Sequence, residues 1–144
     1  MNVFYEEDGG FKAGTVLVDN NTSLQVETAH GKRSKVKANA VLLRFTTANV
    51  LQFLDAAQAV AADIDPGFLW EVAPDEEFEF LALGRDYFGH EPKAEEAAGL
   101  LLRLHGSPMH FYKKGKGRYR AAPEDALNAA LASVERKRLQ ALQQ

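Results

Sequence analysis

At 144 residues and 46% hydrophobic, the chain can bury one ordinary core or two very small ones. It has no cysteine, which excludes a disulfide framework, a thiolate nucleophile and a zinc finger, and no apolar run reaches the roughly 18 residues of a membrane span. The net charge of −3 conceals a segregation: Thr28–Leu54 and Arg103–Arg120 contain bases and no acid, whereas Asp55–Glu96 holds twelve acids against Arg85 and Lys93.

Residues 1–45 read as short strands. The stretch Met1–Asp8 is acidic and lacks the basic-then-apolar order of a signal peptide, so a cytoplasmic location with no membrane partner is expected. Val3–Tyr5 runs to a turn at Glu7-Asp8-Gly9-Gly10, Gly14–Val18 to Asp19-Asn20-Asn21-Thr22, and Ser23–Thr28 to His30-Gly31-Lys32. Ser34–Lys37 and Ala40–Phe45 complete the set. Short strands separated by tight turns predict a small SH3-like β-barrel over residues 1–45. Lys32, Arg33, Lys35 and Lys37 fall on one hairpin of it, with Lys35 and Lys37 sharing a face and Val36 opposite. Such a cluster suits a polyanion, and it equally suits the lysine guard that keeps an edge strand from pairing with another chain.

From Thr46 the apolar period becomes helical, through Val50, Phe53, Leu54, Ala57, Val60, Ala61 and Ile64, with Thr46 or Thr47 as the expected cap. Asp65-Pro66-Gly67 is expected to break it, and Phe68–Val72 to form an apolar turn with Trp70 as core anchor. Pro74-Asp75-Glu76-Glu77 has the proline and carboxylates of a helix start, with the helix ending at Gly89. Pro92–His105 places Ala94, Ala97, Leu101 and Leu104 on one stripe, and Gly106 is expected to end it as a left-handed residue.

A hairpin over residues 109–121 follows. Met109–Tyr112 leads out, Lys113-Lys114-Gly115-Lys116-Gly117 turns, and Arg118–Ala121 returns. Helix followed by basic hairpin is the outline of a winged-helix-like module, here residues 46–144, and the whole chain is expected to be an α+β fold. The candidate contacts to nucleic acid are Tyr112, Lys113, Lys114, Lys116, Arg118 and Arg120, where charge for phosphates alternates with rings for bases; Phe111 is expected in the core. A last helix opens at Pro123-Glu124-Asp125, carries Leu127, Ala130, Leu131 and Val134, and runs through Glu135-Arg136-Lys137-Arg138 to Gln144 without a stop signal. A truncated C-terminal helix in a piece of a longer protein is the expectation.

No catalytic constellation emerges. Asp63-x-Asp65 and Asp75–Glu79 have a structural explanation as helix-end carboxylates, the four histidines are scattered, and no glycine-rich phosphate loop is present. No catalytic, cofactor-binding or metal-binding residue is expected in this chain.

Gly31–Lys37, Phe80–Phe88 and Ser107–Tyr119 together resemble the N-terminal region of a bacterial subgroup of the ribonuclease II family of 3′-to-5′ exoribonucleases. The resemblance extends to Ala122-Pro123-Glu124-Asp125 and Val134–Arg138. It implies an accessory region that binds or guides single-stranded RNA for a hydrolase. The family's aspartate cluster holding Mg2+ lies downstream of such a region and is not among these residues. Two rival readings stand beside it. One is a winged-helix DNA-binding regulator reading bases with Pro92–His105, and the other is a protein-docking module. Oligomeric state is left open.

Overall fold

A computed structural model describes residues 1–142. The fold is mixed α+β, with one antiparallel five-stranded sheet, one three-stranded sheet and five helices among the described residues.

The first five strands are β1 (Asn2–Glu7), β2 (Gly10–Asp19), β3 (Ser23–Thr28), β4 (Arg33–Lys37) and β5 (Val41–Phe45). Asp8 and Gly9 both have positive φ, 54° and 76°, the mirror-image turn whose twist suits a two-residue hairpin, and Glu7 pairs with Gly10 across it. At the next turn the Asp19 carboxylate accepts the Asn21 N–H at 2.8 Å while Asn21 takes a φ of 67°. A single 3-10 turn, Ala38–Ala40, then returns the chain so that β5 pairs with β1. The order is β4-β3-β2-β1-β5.

The expected barrel does not close, since β4 and β5 are the two edges and no ladder joins them among the described residues. One face still buries Val3, Tyr5, Leu24, Val26 and Val36 in a cluster built only from the sheet and its 3-10 turn. Ala38, Ala40 and Val41 of that connection pack into the cluster and supply the cover that a closing ladder would otherwise give.

The opposite face packs on helices. Phe4 and Ala13 of the sheet join Phe53, Ala57, Leu100, Leu101 and Leu104 in one apolar cluster. Phe53 stacks on Phe45 at 4.0 Å and meets Phe4 edge-on at 6.3 Å. The strand-rich and helix-rich segments therefore share a core across residue 45.

The helices are α1 (Val50–Asp63), α2 (Pro66–Val72), α3 (Phe80–Phe88), α4 (Ala94–His105) and α5 (Glu124–Leu142). Several boundaries differ from expectation. Asn49, not Thr46 or Thr47, caps α1, accepting the Gln52 N–H at 3.1 Å. Asp65-Pro66-Gly67 starts a helix instead of only ending one: the Asp65 carboxylate accepts the N–H groups of Gly67 and Phe68, and Pro66 occupies the first turn. Residues 74–77 are not helical, because Phe78–Glu79 forms strand β6 and pairs with the later hairpin. Gly106 stops α4 with a φ of −82°, so it is not left-handed; Gly89, at 77°, ends α3 in that way.

Helix α4 lies at the centre. Its Gly99 faces α1 so closely that a Cβ would stand 2.6 Å from Val60 Cβ and 2.7 Å from the Ala57 carbonyl oxygen. Arg103 donates from Nε and Nη2 to the Ala61 carbonyl, at 2.9 and 2.7 Å, placing a cation at the C-terminal end of α1. Trp70 is half-buried and its Nε1 donates to the Ala122 carbonyl at 2.8 Å, while Leu69 beside it is fully buried and Phe68 is 54% exposed. Leu69 is therefore the anchor, and Trp70 a latch to the segment leading into α5. In α5 only Leu127 is buried; the stripe expected through Ala130, Leu131 and Val134 leaves Leu131 and Val134 in solvent. Gln143 and Gln144, where the helix was expected to run on, lie outside the described residues.

Candidate nucleic-acid interface

Strand β4 presents the simplest array of charge. Val36 points into the sheet's own core, so Arg33, Lys35 and Lys37 stand together on the other face, all exposed. Their partners on β3 are Glu27, Gln25 and Ser23 in turn. Only Arg33 meets an acid there, with its Nε 3.7 Å from Glu27, and Lys32 precedes the row in the exposed turn. Lys32, Lys35 and Lys37 have no ion-pair partner among the described residues. Side chains on alternate residues sit about 6.6–6.8 Å apart, close to the spacing of phosphates along an extended single strand.

The hairpin of β7 (Phe111–Gly115) and β8 (Arg118–Ala121) is differently placed from a projecting wing. Phe111 and Tyr119 are buried, 2% and 1% exposed, so Tyr119 supplies no stacking platform. Tyr112, 39% exposed, pairs across the strands with Arg120 on the outer face, a ring beside a cation. The tip is docked: Gly117 is buried with a φ of 72°, its carbonyl accepts the Phe80 N–H at 2.9 Å, and a Cβ there would lie 3.1 Å from Phe80 and 3.2 Å from Leu42. Only one of the two loop glycines, Gly117, takes a positive φ.

Acids also reach this hairpin from distant parts of the chain. Lys113 donates to Glu6, whose side chain is largely buried, and Arg118 Nε donates to Glu77 at 2.7 Å. Lys114, Lys116 and Arg120 remain without an ion-pair partner among the described residues. With Arg103 committed to the α1 carbonyl, half of the six bases in Arg103–Arg120 are engaged within the fold.

The two basic segments are not brought together. The hairpin tip sits against β5 and Lys113 against β1, while the cation row lies on β4, at the opposite edge of the same sheet. Sequence reasoning missed the neutralising pair Glu6 and Glu77, because their partners are 107 and 41 residues away. It also missed a cavity of about 280 Å3 lined by Phe11, Lys12, Ala13, Thr28, Ala29, His30, Lys32 and Leu54, which come from three parts of the chain.

Tyr119 shows how dry the ground beneath the hairpin is. Its hydroxyl is buried without a hydrogen-bond partner, and burial, aided by the nearby charge of Glu6, pushes its pKa up to about 12. Among the described residues no group of three or more histidines and carboxylates is placed to hold a metal ion. No described helix is long and apolar enough to cross a membrane. Comparison with family models, with curated proteins and with solved structures returns no match.

Proposed function

We propose that this chain binds and guides single-stranded RNA as the N-terminal accessory region of a ribonuclease II-type 3′-to-5′ exoribonuclease, without hydrolysing RNA itself. In this reading the five-stranded sheet is an SH3-like module, and α3, α4 and the β7–β8 hairpin form a winged-helix-like module. The meander that returns through one 3-10 turn to the free edge of β1 supports the first assignment. The hairpin following α4 supports the second. Mg2+ would serve the hydrolytic domain of the parent protein, outside these residues.

The observation that carries the binding reading is the row Arg33, Lys35 and Lys37, exposed and evenly spaced on an edge strand, where Lys35 and Lys37 face uncharged Gln25 and Ser23 and only Arg33 faces an acid, Glu27. A flexible strand can follow such a row with its phosphates, and the neutral neighbours of Lys35 and Lys37 leave the positive field intact there. The DNA-regulator reading is disfavoured by α4, the helix it requires for the major groove. Six consecutive-turn residues, Ala97 to Leu101 and Leu104, are buried against α1 and α3. The protein-docking reading has its own support in α5, where Leu131, Val134, Leu139 and Leu142 are exposed.

Incubation of the purified chain with end-labelled single-stranded RNA, duplex DNA and Mg2+ tests the proposal. Retention of full-length RNA in a complex, with weaker binding to duplex DNA, is expected. Tighter binding to duplex DNA, or processive shortening of the RNA that survives repurification, would overturn it.

A further inference from the structure

The cavity noted above opens beside α1 on the helix-packed face of the large sheet. Its inner wall is apolar, from Phe11, Ala13 and Leu54, and its mouth is the β3–β4 turn carrying His30 and Lys32. Phe11 is a fixed ring: Phe4 stacks on it at 5.5 Å and His105 meets it edge-on at 5.0 Å. A wall already ordered in this way loses little freedom when a flat ligand arrives.

Strand register ties the cavity to the cation row. Ala13 and Thr15 share a face of β2, Thr15 pairs with Glu27 on β3, and Glu27 pairs with Arg33 on β4. The cavity and the row therefore lie on one face, with Arg33 nearest at roughly 12 Å from Ala13 and with Lys35 and Lys37 farther along β4. That separation is of the order of the reach from the phosphate of a nucleotide to the far side of its base. The volume, below the roughly 300–1,000 Å3 of sites for drug-sized ligands, suits one ring system. Charge narrows the occupant further. Lys12 is engaged by Glu7 at 2.6 Å, so Lys32 is the cation that faces an incoming anion at the mouth. An apolar wall with cations beyond its rim matches a ligand that is flat and uncharged at one end and anionic at the other.

Resting on the reading that this face carries single-stranded RNA, we propose that the cavity receives one unstacked base while neighbouring phosphates lie along Arg33, Lys35 and Lys37. A base within a duplex stays stacked between its neighbours and cannot enter. The site thereby selects single strands and fixes the register of the strand on the sheet.

The test is fluorescence anisotropy with a labelled 12-nucleotide oligouridylate and with an abasic strand of equal length, which has the same phosphates and no bases. The chain is expected to bind the oligouridylate about tenfold tighter, since stacking one base on protein is worth roughly 5- to 150-fold. Ala29→Trp, at an exposed position on the rim, should lower oligouridylate affinity to the abasic level and leave abasic binding unchanged. Photocrosslinking of the unaltered chain to a 4-thiouridine strand needs no variant, and adducts are expected within residues 11–13 or 28–32. Equal affinity for both strands, or adducts confined to other segments, would overturn the cavity and leave RNA binding standing. Binding of neither strand would overturn the RNA reading and the cavity together.

Discussion

Lys113 of β7 donates its ammonium to the carboxylate of Glu6 on β1, joining the small sheet to the large one across 107 residues of sequence. The pair fixes the hairpin against the sheet and removes one of its charges from the surface. Together with the pair of Arg118 and Glu77, it leaves Lys114, Lys116 and Arg120 as the hairpin cations without an ion-pair partner among the described residues.

The ground beneath that pair should be sensitive to alkali. Tyr119 is raised to about 12 by burial and by Glu6, against about 10 in an unfolded chain. Below pH 10 both states keep the proton and the shift has no effect on the balance. Between about pH 10 and 12 the unfolded chain loses its proton first, so stability falls, by on the order of 2 kcal/mol in all. Tyr119→Phe should flatten this alkaline limb. At pH 7 it should be neutral or stabilising, because it removes a buried hydroxyl that lacks a partner. Urea melts across the pH range measure both effects; a loss above about 1 kcal/mol at pH 7 would show that the hydroxyl is satisfied.

The α1–α4 crossing depends on a missing methyl group. Gly99→Ala gains about 1 kcal/mol of helix propensity, but the new Cβ would stand 2.6 Å from Val60 and 2.7 Å from the Ala57 oxygen. Overpacking of this kind costs about 1–3 kcal/mol, and the helices must part to admit it. Because one of the two clashes is with backbone, the cost should sit near the top of that range, and a net loss of about 2 kcal/mol is expected in denaturant melts. An unchanged midpoint would mean that the crossing is loose.

Much of this architecture is legible from local pattern. Asp8-Gly9, the alternation of Ser23–Thr28, and the stripe from Phe53 to Ile64 each specify their element through neighbours in sequence. The same local reading fails where a distant segment decides. Pro74-Asp75-Glu76-Glu77 has a helix-start composition, yet Phe78 and Glu79 are taken by Tyr119 and Arg118 into a ladder. Barrel closure cannot be read from strand lengths, because the 3-10 turn supplies the cover. The candidate cations are legible as residues but their availability is not. Lys113 and Lys114 are adjacent in sequence, and only the fold gives the first a carboxylate.

The second helix allows three side chains to be separated. Leu69→Ala should cost about 2–5 kcal/mol, as for other fully buried leucines. Trp70→Ala should cost about 3 kcal/mol, the lower end of the range for a truncated aromatic, because it loses partial burial and the bond to Ala122. Phe68→Ala, at an exposed position, should cost less than about 1 kcal/mol. Denaturant midpoints at fixed m-value measure all three, and a large loss at Phe68 would contradict the packing described.

A salt titration of single-stranded RNA binding separates β4 from the hairpin when three proteins are compared: the unaltered chain, Lys35→Glu/Lys37→Glu and Lys114→Glu/Lys116→Glu. All four substituted lysines are exposed, so each variant should keep its fold and its melting midpoint. If Lys32, Arg33, Lys35 and Lys37 engage about four phosphates, the log–log slope of the unaltered chain should be near −3. The β4 variant should flatten it to about −1.4 with a loss of affinity, while the hairpin variant changes the slope by less than half as much. A steeper loss in the hairpin variant than in the β4 variant, or equal slopes in all three proteins, would contradict the account.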